Sequence, residues 1–152
     1  MNECKGFSEL KNAVDLVRKL EFDLERMKND MRDQYAAYDF FVTAEHIVDW
    51  VCPNNRSAQK HLRGSSVLLQ VASHIANGAK HFQTQDSRHK SVSGVEKQRY
   101  VEEGYVEEGY FEDPIIVSLA QNEAVIIGCE EISAIVLAEK LLEYWKSNTG
   151  CA

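Results

Sequence analysis

The stretch that decides the fold is residues 35–51, YAAYDFFVTAEHIVDWV. Its apolar side chains recur at helical spacing, for example at Phe40, Ala44 and Ile47. Pro53 follows two residues after the stretch and cannot continue a helix. The pattern therefore predicts one amphipathic helix that buries its apolar side against neighbouring elements.

The sequence on both sides of this helix predicts three more. Residues 7–31 carry apolar side chains in alternating steps of three and four, with no Gly or Pro between them, and Ser8 is the expected N-cap. The same periodicity marks residues 65–82, which we call helix three of the sequence, and residues 131–146. We therefore expect a mainly helical chain.

Two short β-branched runs before the last helix predict a β-hairpin. They are residues 115–119 and 124–127, joined by Ala-Gln-Asn-Glu. Because a lone hairpin is only marginally stable in water, it should pack against the helices. The expected fold class is mainly α, a four-helix bundle with a β-hairpin at residues 114–128 inserted before the last helix. A length of 152 residues suits a single helical domain, residues 1–152.

Three segments lack helical periodicity. Residues 53–57 contain turn-forming side chains and are expected to form a loop. Residues 83–94 are polar and predicted to be mobile. Residues 100–110, YVEEGYVEEGY, repeat with a period of five, too short for a solenoid, and are interpreted as an acidic, tyrosine-bearing connector.

The charge of the chain limits its partners. With 24 acidic and 17 basic side chains the net charge is -7, which repels a phosphate backbone over most of the surface. General DNA binding is therefore not expected. Basic residues do gather at 56–63 and 88–99, so a local contact with RNA stays open.

Cysteine spacing and hydropathy give the expected location. The cysteines are Cys4, Cys52, Cys129 and Cys151, without a Cys-x-x-Cys pair, which fits reduced thiols. No signal-peptide core and no apolar run of about 18 residues is present in the sequence. These features predict a cytoplasmic protein that does not enter a membrane.

Helix three of the sequence carries the main candidate binding residues. They are Gln70, His74, Asn77, Lys80 and His81. Four of them, separated by four, three and four residues, stand on one helix face and are called the polar stripe: Gln70, His74, Asn77 and His81. The imidazoles could offer acid, base or ligand groups to a cleft, or the stripe could face solvent. A glycine costs a helix about 0.5 to 1 kcal/mol, so Gly78 suggests close approach by another helix or a ligand.

Helix two of the sequence offers a possible counterpart to the polar stripe. Asp39, Thr43 and His46 share one of its faces, and a meeting of the two polar faces would form a pocket of carboxylates and histidines. Bundle proteins bind iron, manganese or zinc in this way. The candidate ligands are His46, His74 and His81 with Asp39 or Asp49. The paired Glu-x-x-His motif of di-iron bundles is missing, so no metal or cofactor is expected.

Arg56 and His61 form the main catalytic candidate. In a ribonuclease, arginine holds the phosphate and histidine moves a proton at the attacking or departing ribose oxygen. The same Arg-x4-His spacing also occurs by chance in basic loops with solvated charges. Both interpretations stay open.

The sequence resembles a family of uncharacterised bacterial helical proteins. The resemblance lies in residues 38–46, YDFFVTAEH, with Asp49-Trp50, in the Asn-Gly-x-Lys-His motif that ends at His81, and in Glu143-Tyr-Trp145. It covers most of the chain. The resemblance implies a helical fold and brings no established activity.

The Arg-x4-His spacing is also similar to that of the HEPN superfamily, small helical bundles that include many RNA-cleaving toxins and phage-defence proteins. The resemblance implies an endoribonuclease with a dimeric active site, in which Arg56 binds phosphate and His61 transfers a proton. Ser57 stands where the family often has Asn, Asp or His. RNA and a second copy of the chain are the partners that this resemblance implies.

Three functional hypotheses follow, and whether the protein is an enzyme stays open among them. The first is an intracellular helical domain that acts by binding through the polar stripe. The second is an HEPN-like endoribonuclease that uses Arg56 and His61. The third is a metal-binding helical bundle.

Overall fold

The structure is a computed structural model and describes residues 4–82, 91–97 and 115–149. These residues form six helices and a three-stranded antiparallel sheet. The predicted mainly helical class is confirmed. The proposed connector, residues 100–110, lies outside the described residues, as do residues 83–90 of the predicted mobile stretch.

Helix α1 spans Ala13–Asn29 and begins at a capping box. The Asn12 side chain accepts from the Asp15 N–H at 3.0 Å, and the Asp15 carboxylate accepts from the Asn12 N–H at 3.2 Å. The predicted N-cap, Ser8, was wrong, because this reciprocal pair starts the helix four residues later.

Helix α2 spans Gln34–Val51, within one residue of the prediction. The Asp33 carboxylate caps it by accepting from the N–H groups of Tyr35 and Ala36, both at 3.0 Å. Helix α2 is the central element of the fold and packs against α1, α4 and α6.

Helix α3, Arg56–Gly64, was not predicted. Asn55 caps it by accepting from the Ala58 N–H at 3.0 Å, so the predicted loop at residues 53–57 ends at its cap. None of its side chains is buried, and only Ala58 and Leu62 among its nine residues are apolar, too few to predict a separate helix. Helix α4, Val67–His81, follows and corresponds to helix three of the sequence.

The predicted hairpin was wrong in its second strand. Strand β2, Ile115–Leu119, pairs with β1, Val92–Lys97, and with β3, Glu131–Ser133, in the order β1-β2-β3. The segment Gln121–Ile127 is helix α5. Its β-branched side chains are mostly exposed, so sheet packing does not select their conformation, and Gly128 ends the helix with a φ of 95°.

Helix α6, Ala134–Asn148, closes the core. The largest fully buried apolar side chains come from four helices and β2: Trp145, Phe40, Phe41, Leu20, Ile47, Leu69, Leu137, Leu141, Val48, Val71 and Val117. The Trp145 indole N–H donates to the Ala44 carbonyl at 3.1 Å, which fixes α6 against α2. Ile132, predicted in the last helix, lies in β3.

Among the described helices, none combines the length and the hydropathy that crossing a lipid bilayer requires.

Candidate functional site

A cleft lies between α2, α4 and β1, and we call it the α4 cleft. Its volume is about 430 Å³, within the usual range for small-molecule sites. Helix α2 lines it with Ala37, Tyr38 and Phe41, helix α4 with His74, Ile75, Gly78 and Ala79, and strand β1 with Val92, Val95 and Lys97. Most of these side chains are apolar, and Gln34, His74, Ser93 and Lys97 supply polar groups that would orient a ligand.

His74 is the polar-stripe residue that lines the α4 cleft. Its Nδ1 accepts a hydrogen bond from the Val92 N–H at 3.0 Å, which connects α4 to the sheet. An acceptor nitrogen carries no proton, so a neutral His74 holds its proton on Nε2. The histidine is thereby fixed in orientation at the wall of the cleft.

The other polar-stripe residues have separate surroundings. The Gln70 amide nitrogen donates to the Gly64 carbonyl at 3.4 Å, at the end of α3. The Asn77 amide nitrogen donates to the Ser73 carbonyl of its own helix at 2.8 Å. Lys80 and His81 are exposed. The four residues share one face of α4, as their spacing predicted, but they do not form one site. Gln70 bonds to the end of α3, Asn77 bonds to α4 itself, and His81 is exposed.

Gly78 faces open space as far as the described residues extend. A Cβ built on it would meet no atom of the described residues within 4 Å. The expectation that another helix packs closely there was therefore wrong. Gly78 instead leaves room in the α4 cleft, which it lines.

The polar face of α2 meets α1 rather than α4. The Asp39 carboxylate accepts from Arg26 at 2.9 Å, and the Thr43 hydroxyl oxygen accepts from Lys19 at 2.9 Å. Between these pairs lies Asp23, which is 1% exposed and bonds to Lys19 at 2.6 Å and to Arg26 at 3.0 Å. The possible meeting of this face with the polar stripe does not occur, because α1 supplies the partners of Asp39 and Thr43.

The candidate metal ligands are not gathered in the described residues. No group of three or more His, Cys, Asp or Glu side chains there is placed to hold a metal ion. His46 is exposed on α2, and Asp49 accepts from Arg63 at 3.3 Å. The metal-binding hypothesis thus lacks a supporting cluster in this part of the chain.

Arg56 and His61 both lie exposed on α3. Five positions along a helix correspond to a rotation of about 140°, since each residue turns the helix by about 100°. The two side chains therefore leave α3 in different directions. A catalytic site that uses both residues would need further groups, from outside α3, to hold the phosphate where His61 can transfer a proton.

Glu45 is a titratable residue that the sequence interpretation did not select. It is 7% exposed on α2, and its Oε1 accepts from the Arg63 Nε at 2.6 Å. Its Oε2 has no hydrogen-bond partner among the described residues. Burial raises the pKa of Glu45 to about 7, although the charge and hydrogen bond of Arg63 act to lower it.

The sequence did carry a signal for the burial of Glu45. This residue falls within the apolar period of α2, four residues after Phe41 and three before Val48. A carboxyl group at such a position is buried with the helix face. Its partner Arg63 comes from α3, an element the periodicity did not reveal.

Comparison of the chain with protein-family models, with curated proteins and with solved structures finds no match. The fold and the site define a mainly helical protein with a three-stranded sheet and a cleft of ligand size at their junction.

Proposed function

We propose that this protein is a binding domain whose ligand occupies the α4 cleft. The observation that carries the proposal is the placement of His74, a polar-stripe residue, in the wall of a mostly apolar cleft and in a hydrogen bond with β1. A largely apolar pocket with few fixed polar groups is the common form of a binding site.

The lining of the α4 cleft indicates the chemistry of its ligand. Tyr38, which is 52% exposed, offers aromatic surface to an apolar body. Lys97 also lines the cleft, and its ammonium group forms no ion pair with a described residue. A ligand with an apolar body and an anionic group would match both features.

The binding test uses the dye 1-anilinonaphthalene-8-sulfonate, which combines aromatic rings with one negative charge. Ala79→Phe places a ring in the cleft, whereas Val125→Phe changes an exposed position of α5. We expect Ala79→Phe to weaken dye binding by at least about tenfold, equivalent to 1.4 kcal/mol, and Val125→Phe to leave it unchanged. Equal binding to all three proteins, with unchanged circular dichroism, would refute the proposal.

The alternative function is an HEPN-like endoribonuclease. It is supported by the exposure of Arg56 and His61 on α3, where they can reach a phosphate chain. In this alternative a second copy of the chain completes the site, as the HEPN resemblance implies, because Arg56 and His61 leave α3 in different directions.

The ribonuclease test measures cleavage of a single-stranded RNA oligonucleotide and the mass of the protein in solution. A ribonuclease should sediment as a dimer and lose most cleavage in both Arg56→Ala and His61→Ala, while Lys60→Ala keeps it. RNA that stays intact with the wild-type protein excludes this alternative.

A further inference from the structure

We propose that the occupant of the α4 cleft is an extended acidic peptide segment of another protein, which pairs with the outer edge of β1 as a fourth strand. This inference rests on the proposed binding function and names its partner class. Three observations support it. They are the direction in which the backbone N–H and C=O groups of β1 point, the face of the sheet on which its side chains lie, and the positive charge of Lys97 in the cleft.

The hydrogen bonds of β2 show which of its residues face β1. The Leu119 N–H donates to the Glu130 carbonyl at 2.8 Å, so Leu119 directs its backbone groups toward the β3 side. Directions alternate along an antiparallel strand. Ser118 and Ile116 therefore direct theirs toward β1.

The register then assigns the directions within β1. Gly94 is opposite Ser118 and Glu96 is opposite Ile116, so these two residues of β1 share the ladder with β2. Val95 and Lys97 alternate with them and direct their N–H and C=O groups away from β2. Since the sheet order ends at β1, no other described strand pairs with that side.

One end of this outer edge is already occupied. The Val92 N–H donates to His74 of α4, whereas Val95 and Lys97 line the cleft beyond that contact. Their outward backbone groups repeat after two residues, a spacing of about 6 to 7 Å. An extended peptide repeats its own donors and acceptors at the same spacing, so it can satisfy both residues at once.

The face of the sheet gives an added strand a place for its side chains. Val95 is paired with Val117, which is fully buried, so both lie on the helix-facing side of the sheet. Val95 itself is 42% exposed, which leaves apolar surface uncovered at the edge. Alternate side chains of an added strand would cover it and enter the cleft between Tyr38 and Ala79.

Charge selects among extended peptides. Lys97 lies on the same face as Val95, lines the cleft and has no ion-pair partner among the described residues. An acidic side chain two positions from an apolar one on the added strand would meet it.

The test selects binders from a random seven-residue peptide library displayed on phage and measures the strongest one by fluorescence anisotropy. We expect enriched peptides to carry an acidic residue. Val95→Pro should weaken peptide binding by at least about tenfold, because proline removes an N–H that the sheet itself does not use. Val95→Ile keeps both the N–H and the apolar side chain, so it should bind much more tightly than Val95→Pro.

A second arm does not depend on the folding of a variant. Methylation of successive backbone nitrogens of the selected peptide should reduce binding to the wild-type protein at alternate positions. Binding that is indifferent to every methylation and to Val95→Pro would overturn the inference.

The outcomes separate this inference from the function on which it rests. If no peptide is enriched while the dye remains sensitive to Ala79→Phe, the peptide inference fails and the binding function stands. If the dye is insensitive to Ala79→Phe, the binding function itself fails.

Discussion

At the scale of single residues, Glu45 is a buried carboxyl group whose pKa is raised by its surroundings. It is buried between α2 and α3, holds Arg63 with one carboxylate oxygen and leaves the other without a partner among the described residues. Because its pKa is raised to about 7 in the fold, the native state binds its proton more tightly than the unfolded chain does.

Glu45 therefore makes the free energy of unfolding depend on pH. Between its ordinary pKa of 4.5 and the native value of about 7, the native state holds more protons, so stability decreases as pH rises across this window. Glu45→Gln removes the titration. Relative to wild type it should gain stability from pH 4 to pH 8, by up to about 3 kcal/mol at 1.36 kcal/mol per pKa unit.

Urea denaturation of wild type and Glu45→Gln at pH 4, 5.5, 7 and 8 measures this gain. Glu9→Gln, an exposed carboxyl outside the helices, is the control and should follow wild type. Parallel stability curves for Glu45→Gln and wild type would show that burial does not affect the ionisation of Glu45.

Gly78 gives a prediction in which the stability of the fold and the binding of the dye change in different directions. Alanine there meets open space, so Gly78→Ala should increase the free energy of unfolding by about 0.5 to 1 kcal/mol through helix propensity. Gly64→Ala, which also meets open space but lies on α3, is the matched control. Weaker dye binding in Gly78→Ala alone would connect the glycine to the cleft, and a loss of stability would contradict the open space.

The residues of the site could be predicted only in part. Spacing was enough to place His74 on the polar face of α4, because side-chain direction in a helix follows from sequence position. It could not show that the Asn77 amide bonds to its own helix or that Arg26 donates a hydrogen bond to Asp39. Those partners depend on which helices meet, and that is a property of packing.

At the scale of elements, the long helices could be predicted because each buries one stripe of apolar residues. Helices α3 and α5 could not, since α3 buries no side chain and α5 buries only Ala124. Strand β1 was missed because its Ser and Gly residues resemble a loop, and its pairing with β2 lies far away in sequence.

Helix α3 depends on few contacts. Arg63 connects it to Glu45 and Asp49, and the Gln59 amide nitrogen donates to the Cys52 carbonyl at 2.8 Å. Arg63→Ala leaves Glu45 buried without its cation, and we expect a loss of about 2 to 4 kcal/mol at pH 8. The amide hydrogens of α3 should then exchange faster by hydrogen-exchange mass spectrometry, while those of α1 are unchanged.

Lys60→Ala is the control for Arg63→Ala, because Lys60 is exposed on the same helix and forms no ion pair with a described residue. Its exchange pattern should equal that of wild type. If the amide hydrogens of α3 exchange as slowly in both variants as in wild type, the ion pair does not stabilise this helix.

At the scale of the whole molecule, Trp145 connects the last helix to the centre of the core. It is 0% exposed and donates to Ala44 from a distance of 101 residues along the chain. Trp145→Phe removes ring volume and this hydrogen bond, and we expect a loss of about 2 to 3 kcal/mol. At this size the loss lowers the midpoint of thermal unfolding by about 4 to 12 °C.

Differential scanning calorimetry tests this, with Trp50→Phe as the matched control. Trp50 is only partly buried at the end of α2, so its replacement should cost less than half as much. Equal shifts in the two variants would contradict a central role for Trp145.

The same contact has a consequence for protein synthesis. A ribosome adds about 5 to 20 residues per second, so about 5 to 20 s separate the synthesis of Ala44 from that of Trp145, 101 residues later. Throughout that interval the side of α2 that α6 covers is without its native partner. The nascent chain therefore cannot complete this core as it emerges. Chaperones that bind apolar helices can cover the exposed side of α2 until α6 has been synthesised.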